Sequence, residues 1–391
     1  VTIDAHRRLD AILTAASAHV PEEVAWLGGG SPIVIFGAGT LGREVAAKLR
    51  TAGRRAEAFI DETPGRAGQM VDETPVLDLP GALASYATSA VVVVAVWNPA
   101  HRFVSSRVRL RRAGFTRVAS FVHLAYAWPT AFLPHYAFDV RDATLSRARE
   151  LHEALDTFAD EQSRDEFVRH VRFRMTLDFD ALPPNSPEKY FRAEFAAALD
   201  QETSLIDCGA FNGDTVRDFI GATGGAFRSV TAVEPHPDNF AELSAAVAAL
   251  GPGVRERVRL IQAAVAERTG SARMRLVPGQ GSFLDDNAGV SVPTTSLDDL
   301  AAHVDGPLFV KFDIEGAEQS ALRGGTALLS RQPRPSLAIS VYHTVDDLWA
   351  IPLSLSHCGG YENYLRTEGD DGMGIVCYAF AEKRVGRDES A

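Results

Sequence analysis

The chain has 391 residues, 46% hydrophobic and 23% charged, a globular mixture that excludes disordered, collagen-like and coiled-coil classes and allows two or three domains. Its formal net charge is −12, with 39 basic against 51 acidic residues, which argues against a nucleic-acid partner because an acidic surface repels phosphate. The longest apolar run, residues 90–97, is far shorter than the roughly 20 residues of a membrane helix, so no membrane partner is expected.

Residues 1–20 carry Asp4, His6, Arg7, Arg8 and Asp10 and no apolar core, so no signal peptide is expected there. Cys208, Cys358 and Cys377 are too scattered for a disulfide framework or a zinc site, and a reducing cytoplasm is the expected location.

The first informative segment is 33–42. An apolar, β-rich run, Ile33-Val34-Ile35-Phe36, ends in Gly37-Ala38-Gly39-Thr40-Leu41-Gly42, and residues 43–49 read as a helix. A second run, 56–60, ends at Asp61, and 90–96 is a third parallel-type strand. This is the dinucleotide-binding layout. The glycines let the backbone approach a pyrophosphate at a helix N-terminus, and the acid can bind a ribose. Gly37, Gly39, Gly42 and Asp61 are therefore candidate contacts for a second nucleotide ligand. The alternative is a sheet that keeps the tight turn without its ligand. His101 and His123 lie nearby, but neither has a recognisable partner for hydride transfer.

The arginines between 102 and 117 interleave with Val104, Val108, Leu110 and Phe115, the pattern of an amphipathic helix with a solvated face, with an anion-binding patch as the alternative. Residues 126–200 read as mostly helical, with apolar residues at helical spacing over 145–158 and 164–173. Pro183-Pro184-Asn185-Ser186-Pro187 breaks that pattern. This segment is either a cap over a site, with Arg172, Arg174 and Tyr190 as acceptor contacts, or a plain brace between domains.

A second strand–glycine–helix unit follows. The strand Ser204-Leu205-Ile206 runs into Asp207-Cys208-Gly209-Ala210-Phe211-Asn212-Gly213-Asp214-Thr215, and residues 216–220 are helical. The next strand, 229–233, ends at Glu234. An acid ahead of the glycines disfavours a pyrophosphate. It favours a ligand with a cationic end and a ribose, which describes S-adenosylmethionine (SAM). A third strand, 258–261, leads to Gln262-Ala263-Ala264-Val265. Another buried-type strand, 308–312, opens through Asp313-Ile314-Glu315-Gly316 into a helix running to about 330. Side chains alternate along a strand, so Lys311, Asp313 and Glu315 share a face if the strand persists that far. A strand over 336–341 ends at Tyr342-His343, at the same edge of the sheet. Asp285, Asp286, Asp298 and Asp299 read as solvated or helix-capping acids.

These motifs resemble the FkbM-family SAM-dependent methyltransferases. The resemblance rests on 207–215, Val233-Glu234-Pro235-His236-Pro237, Lys311-Phe312-Asp313-Ile314-Glu315-Gly316-Ala317-Glu318, Thr294-Thr295-Ser296-Leu297-Asp298-Asp299-Leu300 and Tyr342-His343. Asp346-Asp347-Leu348, Ile351-Pro352 and Tyr364-Leu365-Arg366 extend it, so that it covers roughly 185–385. Asp160-Glu161-Gln162-Ser163-Arg164 and Tyr190-Phe191 resemble the helical entry of two-domain members. Residues 31–125 are more loosely similar to the nucleotide-binding domain of sugar acyltransferase-like proteins.

The resemblance implies an α/β fold with a class I methyltransferase Rossmann-like seven-stranded sheet. A smaller Rossmann-like parallel-sheet domain and a helical connector precede it. The expected domains are 1–125, 126–200 and 201–391, with an antiparallel edge pair near 361–365 and 375–381. SAM would be the methyl donor and a small-molecule hydroxyl the acceptor, on a sugar, polyketide or other specialised metabolite.

By the same resemblance, Gly209 and Gly213 form the turn under the methionine part of SAM, with Ala210 a further cofactor contact and Phe211 either a pocket residue or part of the core or loop. Asp207 helps hold its amino-acid end, and Glu234 accepts from the ribose hydroxyls. Ala264 lies near the adenine, and Ser282 is a further pocket candidate.

Methyl transfer from a sulfonium needs alignment, and an alcohol acceptor gains from a base within hydrogen-bond reach. Asp313 and His343 are the candidate bases. Lys311 could stabilise the alkoxide or neutralise Asp313. Glu315 could act chemically or cap the following helix. Asp313 and Glu315 could also hold a divalent cation, although no metal is assigned. Two rivals stand beside this reading: an NAD-dependent oxidoreductase working through 37–61, and a non-catalytic nucleotide-sugar or carrier-binding module. A homo-oligomer is compatible with all three.

Overall fold

The computed structural model describes residues 2–16, 19–96, 102–184, 186, 188–277, 279, 281–285 and 288–381; His101, Asn185, Pro187 and Asp286 lie outside the described residues. The chain divides into two compact units. Unit 1 comprises Val1–Arg149, Asp165–Pro184 and Gly369–Met373, and unit 2 comprises Glu150–Arg164, Asn185–Glu368 and Gly374–Ala391. No helix among the described residues is long and apolar enough to cross a membrane.

Unit 1 is built on a six-stranded sheet. Its strands are β1 (Ile33–Phe36), β2 (Ala56–Ile60), β3 (Met70–Val71), β4 (Thr74–Leu77), β5 (Val91–Val94) and β6 (Arg117–Ser120), in the order β3-β4-β2-β1-β5-β6. All neighbours are parallel except β3 and β4. Every residue of β1 and β5 is buried, as their uninterrupted β-branched and apolar runs require of central parallel strands. Helix Thr40–Thr51 buries Gly42, Val45, Ala46 and Leu49, one stripe at helical spacing. Gly42 permits that packing, because a Cβ there would meet the Gly37 carbonyl oxygen at 1.9 Å.

The arginine-rich segment forms helix Phe103–Ala113, burying Phe103, Ser106 and Leu110. Three of its arginines face acids of the same unit. Arg102 pairs with Asp370 at 2.6 Å, Arg107 with Asp180 at 2.8 Å and Arg109 with Glu62 at 2.7 Å. The connector residues form helices Ala148–Asp156 and Glu161–Thr176 among others, close to the spans expected from periodicity.

Unit 2 carries the seven-stranded sheet. The strands are β7 (Ser204–Cys208), β8 (Ser229–Val233), β9 (Val258–Ile261), β14 (Leu308–Phe312), β15 (Ser336–Ser340), β16 (Tyr361–Thr367) and β17 (Ile375–Ala381). Their order is β16-β17-β15-β14-β7-β8-β9. Strands β9 to β15 are parallel neighbours, and β17 and β16 close one edge antiparallel. This is the class I methyltransferase order. The chain winds outward from β7 through β8 to β9, then returns to place β14 on the other flank of β7. The switch point therefore lies between β7 and β14, where open α/β sheets bind ligands at strand carboxyl ends.

Two features differ from expectation. A separate four-stranded sheet, β10 (Ala264–Val265), β11 (Gly270–Arg275), β12 (Phe283–Leu284) and β13 (Val290–Thr295), is inserted between β9 and β14. The single helix expected to run to 330 is two short ones, Glu318–Arg323 and Thr326–Ser330, parted at Gly324-Gly325. There the backbone of Ala266 and Glu267 comes so close that a Cβ on Gly324 would lie 2.6 Å from the Ala266 oxygen.

Candidate active site

At the end of β7 the chain turns through 209–213 into helix Asp214–Ala222, whose N-cap is Gly213 at φ +81°. Gly209 is also left-handed at φ +81°, and a Cβ on it would lie 2.0 Å from the Asp313 carbonyl oxygen. The absent side chain lets the loops after β7 and β14 touch. The Phe211 N–H donates to Glu234 Oε2 at 2.9 Å. Glu234 Oε1 accepts from the His236 N–H at 2.9 Å and from Asn239 Nδ2 at 3.3 Å. Burial pushes the Glu234 carboxyl above its usual pKa despite these donors.

A solvent-open cleft of about 720 Å³ lies against this loop. Gly209, Phe211, Glu234 and Asn239 form one end. Ala263, Ala264, Val265, Met274 and Leu284 form an apolar wall supplied largely by the inserted sheet. Asp313, Glu315 and Tyr342 lie on it too. Ser282 also lines the cleft, its Oγ accepting from the Val277 N–H at 2.9 Å. No Lys, Arg or His is among its described lining residues.

Asp207, Ala210 and Gly213, expected to touch the donor, sit behind the wall rather than on it. Asp207 is fully buried, and in the β7–β14 pairing it stands directly opposite Lys311. Adjacent positions on parallel strands share a face, and the Lys311 Nζ lies 3.1 Å from Asp207 Oδ1. That ammonium also donates to the carbonyls of Cys208 at 3.3 Å and Gly209 at 2.6 Å. Burial raises the Asp207 carboxyl, and the Lys311 ammonium acts against it. For Lys311, burial favours the neutral amine, but Asp207 and Asp313 override it and raise its pKa. Lys311 therefore braces the glycine loop and is not among the residues lining the cleft.

The expected common face of Lys311, Asp313 and Glu315 does not form. β14 stops at Phe312, and Glu315 and Gly316 adopt φ +55° and +97°. That turn puts Asp313 and Glu315, but not Lys311, on the cleft. Tyr190 donates its OH to Asp313 Oδ2 at 3.0 Å, and Tyr342 OH lies 3.4 Å from Oδ1.

His343 is 7% exposed and absent from the cleft wall. Its Nε2 lies 3.2 Å from Asp313 Oδ1 and 3.9 Å from Glu315 Oε2, and its Nδ1 lies 2.7 Å from Glu318 Oε1. Burial would lower the imidazole pKa, but Glu318 and Asp313 hold it well above its ordinary value. Burial would raise Asp313, but His343, Lys311 and Tyr190 hold it well below the carboxylate range. Glu318, not singled out by sequence, is the fully buried acid that caps the turn, accepting from Ile314 N–H at 2.9 Å and Gly316 N–H at 3.0 Å. The amides it binds lie in the turn ahead of helix Glu318–Arg323, whose N-cap is Ala317.

The remaining candidates have partners of their own. Asp298 accepts the Leu328 N–H at 2.8 Å, and Asp299 accepts from the Ser296 hydroxyl at 2.9 Å. Asp285 pairs with Arg275 at 3.0 Å. Arg172 pairs with Asp178 at 2.7 Å, and Arg172 and Arg174 belong to unit 1. His123 is buried, accepts the Ser120 N–H at 3.0 Å and has its pKa lowered by burial to about 4.

In unit 1, Asp61 turns back onto its own loop. Oδ2 accepts the Ala38 N–H at 3.0 Å and Oδ1 the Thr63 N–H at 2.9 Å. A cavity in that unit is lined by Leu41, Val45, Phe121, Phe132 and His135 among others, and includes none of Gly37, Gly39, Gly42 and Asp61. The second nucleotide ligand expected there finds no support.

Residues 207–369 match the family model described as the methyltransferase FkbM domain. The chain carries an FkbM-family methyltransferase domain. The glycine loop, Glu234, the Asp313 turn and His343 all fall within that match. The fold of nearly the whole chain is shared with methyltransferase FkbM from Methylobacillus flagellatus KT, at TM-score 0.76 and 20% identity over 97% of this chain and 100% of that one. An rRNA methylase from Streptococcus thermophilus matches 48% of this chain and 92% of its own, at 14% identity and TM-score 0.30. Compared by sequence, no curated protein matches the chain.

Proposed function

We propose that the FkbM domain is a SAM-dependent O-methyltransferase acting on a hydroxyl of a sugar, polyketide or other specialised metabolite. The observation that carries this reading is a single cleft with a strand-tip carboxylate, Glu234, at one end and the Asp313 carboxylate at the other. The residues present suit SAM. Glu234 can accept from two ribose hydroxyls, the wall of Ala263, Ala264, Val265 and Met274 offers an apolar bed for a purine, and Asn212 Oδ1 in the glycine loop is buried with no hydrogen-bond partner among the described residues. When bound, SAM supplies an electrophilic methyl group for in-line displacement by the acceptor oxygen.

The chain's own part is alignment and charge. Asp313 is the carboxylate that can accept the hydroxyl proton, being on the cleft where His343 is not. His343 acts behind it, holding its oxygen in place. With three carboxylates and no cationic side chain on the described cleft wall, the site suits a neutral acceptor better than a phosphorylated one. The three free cysteines agree with a reducing cytoplasm.

Calorimetry with SAM and with NAD(H) tests the donor, and labelled-methyl transfer to metabolite extracts tests the reaction. SAM is expected to bind and NAD(H) not to. Tight NAD(H) binding without SAM binding overturns the reading. Asp313→Ala and His343→Ala are expected to lower turnover by about 10²-fold or more with SAM affinity largely kept. Full activity in both would remove Asp313 from the chemistry.

A further inference from the structure

We propose that Glu318 is the positioning residue of this site: it holds His343 as a buried imidazolium and locks the 313–316 turn, so that Asp313 faces the cleft ionised. The inference rests on the cleft being the methyl-transfer site.

The geometry is that of one carboxylate serving two loops. Glu318 begins helix Glu318–Arg323 and is fully buried. Its Oε2 takes the Gly316 N–H, and its Oε1 takes the Ile314 N–H and faces His343 Nδ1. The turn it fastens contains two left-handed residues, Glu315 and Gly316. A non-glycine residue in that conformation is strained, so the turn needs outside support. The loop after β15, which carries His343, is tied to the same carboxylate.

The proton count follows from the partners. A neutral imidazole offers one donor and one acceptor nitrogen, whereas the charged ring offers two donors. His343 has a carboxylate at each nitrogen, Glu318 at Nδ1 and Asp313 at Nε2. Against two ionised carboxylates only the doubly protonated ring satisfies both. The other charged or titratable groups around it act in a consistent direction. Glu315 lies 3.9 Å from Nε2 and favours the cation, and the Tyr342 ring packs at 4.3 Å between centroids. Lys311 and Tyr190 act on Asp313 and keep that partner anionic. Asp347, bound to Gln319 at 2.9 Å and to the Thr344 N–H at 2.9 Å, is raised to about 6 by burial and by the charge of Glu318. The acid–imidazolium–acid chain thus fixes Asp313 from behind and leaves its front for the acceptor.

The test is nitrogen-resolved NMR of the His343 ring in the full chain without ligand, with Glu318→Gln and Glu318→Asp beside the wild type. In the wild type both ring nitrogens are expected to stay protonated from about pH 5.5 to 8.5. In Glu318→Gln the midpoint is expected to fall into the range of about pH 6 to 7.5. Glu318→Asp is expected to restore the cation at least partly, since it restores the charge. A neutral His343 in the wild type, or a Glu318→Gln ring still protonated at pH 8.5, overturns the proposal. The wild-type spectrum decides even if a variant fails to fold. Because the readout needs neither SAM nor acceptor, a failure of the methyltransferase reading would appear separately, as absent SAM binding in calorimetry.

Discussion

Ala38 and Phe211 hold matching places in the two units, and each donates its backbone N–H to the acid at the tip of the next strand. Asp61 accepts at 3.0 Å and Glu234 at 2.9 Å. The loops are alike in backbone and opposite in electrostatics. Asp61 is partly exposed, and although burial raises its pKa, bonds from Thr63 and Ala38 and the nearby Arg66 bring it below the usual value. Glu234 is 5% exposed and accepts from three donors, yet its pKa is raised, because burial outweighs them. Asp61 is comfortable as an anion and closes its own loop. Glu234 is ionised at a cost to the fold, beside a cleft. Carboxylates perturbed by burial beside a cleft gather at functional sites, which is the ground for proposing Glu234 as a donor contact.

The largest effect should come from filling the loops. Gly209→Ala would place a Cβ 2.0 Å from the Asp313 oxygen, and Gly42→Ala would place one 1.9 Å from the Gly37 oxygen. Each is expected to cost about 3 kcal/mol or more by overpacking against backbone. Denaturant unfolding followed by hydrogen exchange should place the loss in unit 2 for the first and unit 1 for the second. Only Gly209→Ala should abolish binding of S-adenosylhomocysteine. Equal loss in Gly42→Ala would make the two loops one functional system and break the comparison.

Next come the amide exchanges. Glu234→Gln should weaken S-adenosylhomocysteine binding at least tenfold, about 1.4 kcal/mol, and cost the fold less than Asp61→Asn does, because losing the buried charge offsets the N–H that then faces a donor. Asp61→Asn should leave the affinity within about twofold and lower stability by about 1 kcal/mol, since one loop N–H then faces a donor. Calorimetry and thermal unfolding give both numbers. A Glu234→Gln protein that loses more stability than Asp61→Asn would show that its charge is structural after all.

The contrast also shows which features are legible in the amino-acid sequence and which are not. Strands β7, β8 and β14 are largely apolar runs closed by Gly209, Glu234 and Asp313, and their limits follow from that, whereas β9 carries Arg259 and ends at Gln262. The inserted sheet is not legible, because β11 and β13 mix Arg, Ser and Pro with apolar residues and the burial alternates over only part of each strand. Yet that sheet supplies Met274 and Leu284 to the cleft. The Asp207–Lys311 pair is hidden for a different reason. Register between strands about a hundred residues apart decides it, and a motif that carries Lys next to Phe312 and Asp313 reads as chemistry rather than bracing. Glu318 stands at a helix start, where an acid is commonplace. Its partner lies one strand away, beyond any local pattern. Asp313, Glu315, Glu234 and Phe211 can be picked out because each sits at a strand end, where the topology alone sends side chains to the ligand edge.

The smallest effect is a titration, and its sign differs between the loops. Glu234 has a folded pKa above its ordinary 4.5, so protonation favours the fold. Its contribution is fully present below 4.5 and is lost as pH rises through the folded value. Asp61 has a folded pKa below its ordinary 3.8, so its contribution is present above 3.8 and is lost as pH falls through the folded value. The Phe211 and Ala38 amides report these two carboxylates directly, since each N–H points at one of them. In an amide-shift titration Phe211 should turn over above pH 4.5 and Ala38 below 3.8. Adding S-adenosylhomocysteine should lower the Phe211 midpoint, because ribose hydroxyls donate to the charged form, and leave Ala38 where it was. A ligand-dependent shift at Ala38 of equal size would mean that the first loop also meets the ligand, and that its closed carboxylate is one state of a second site.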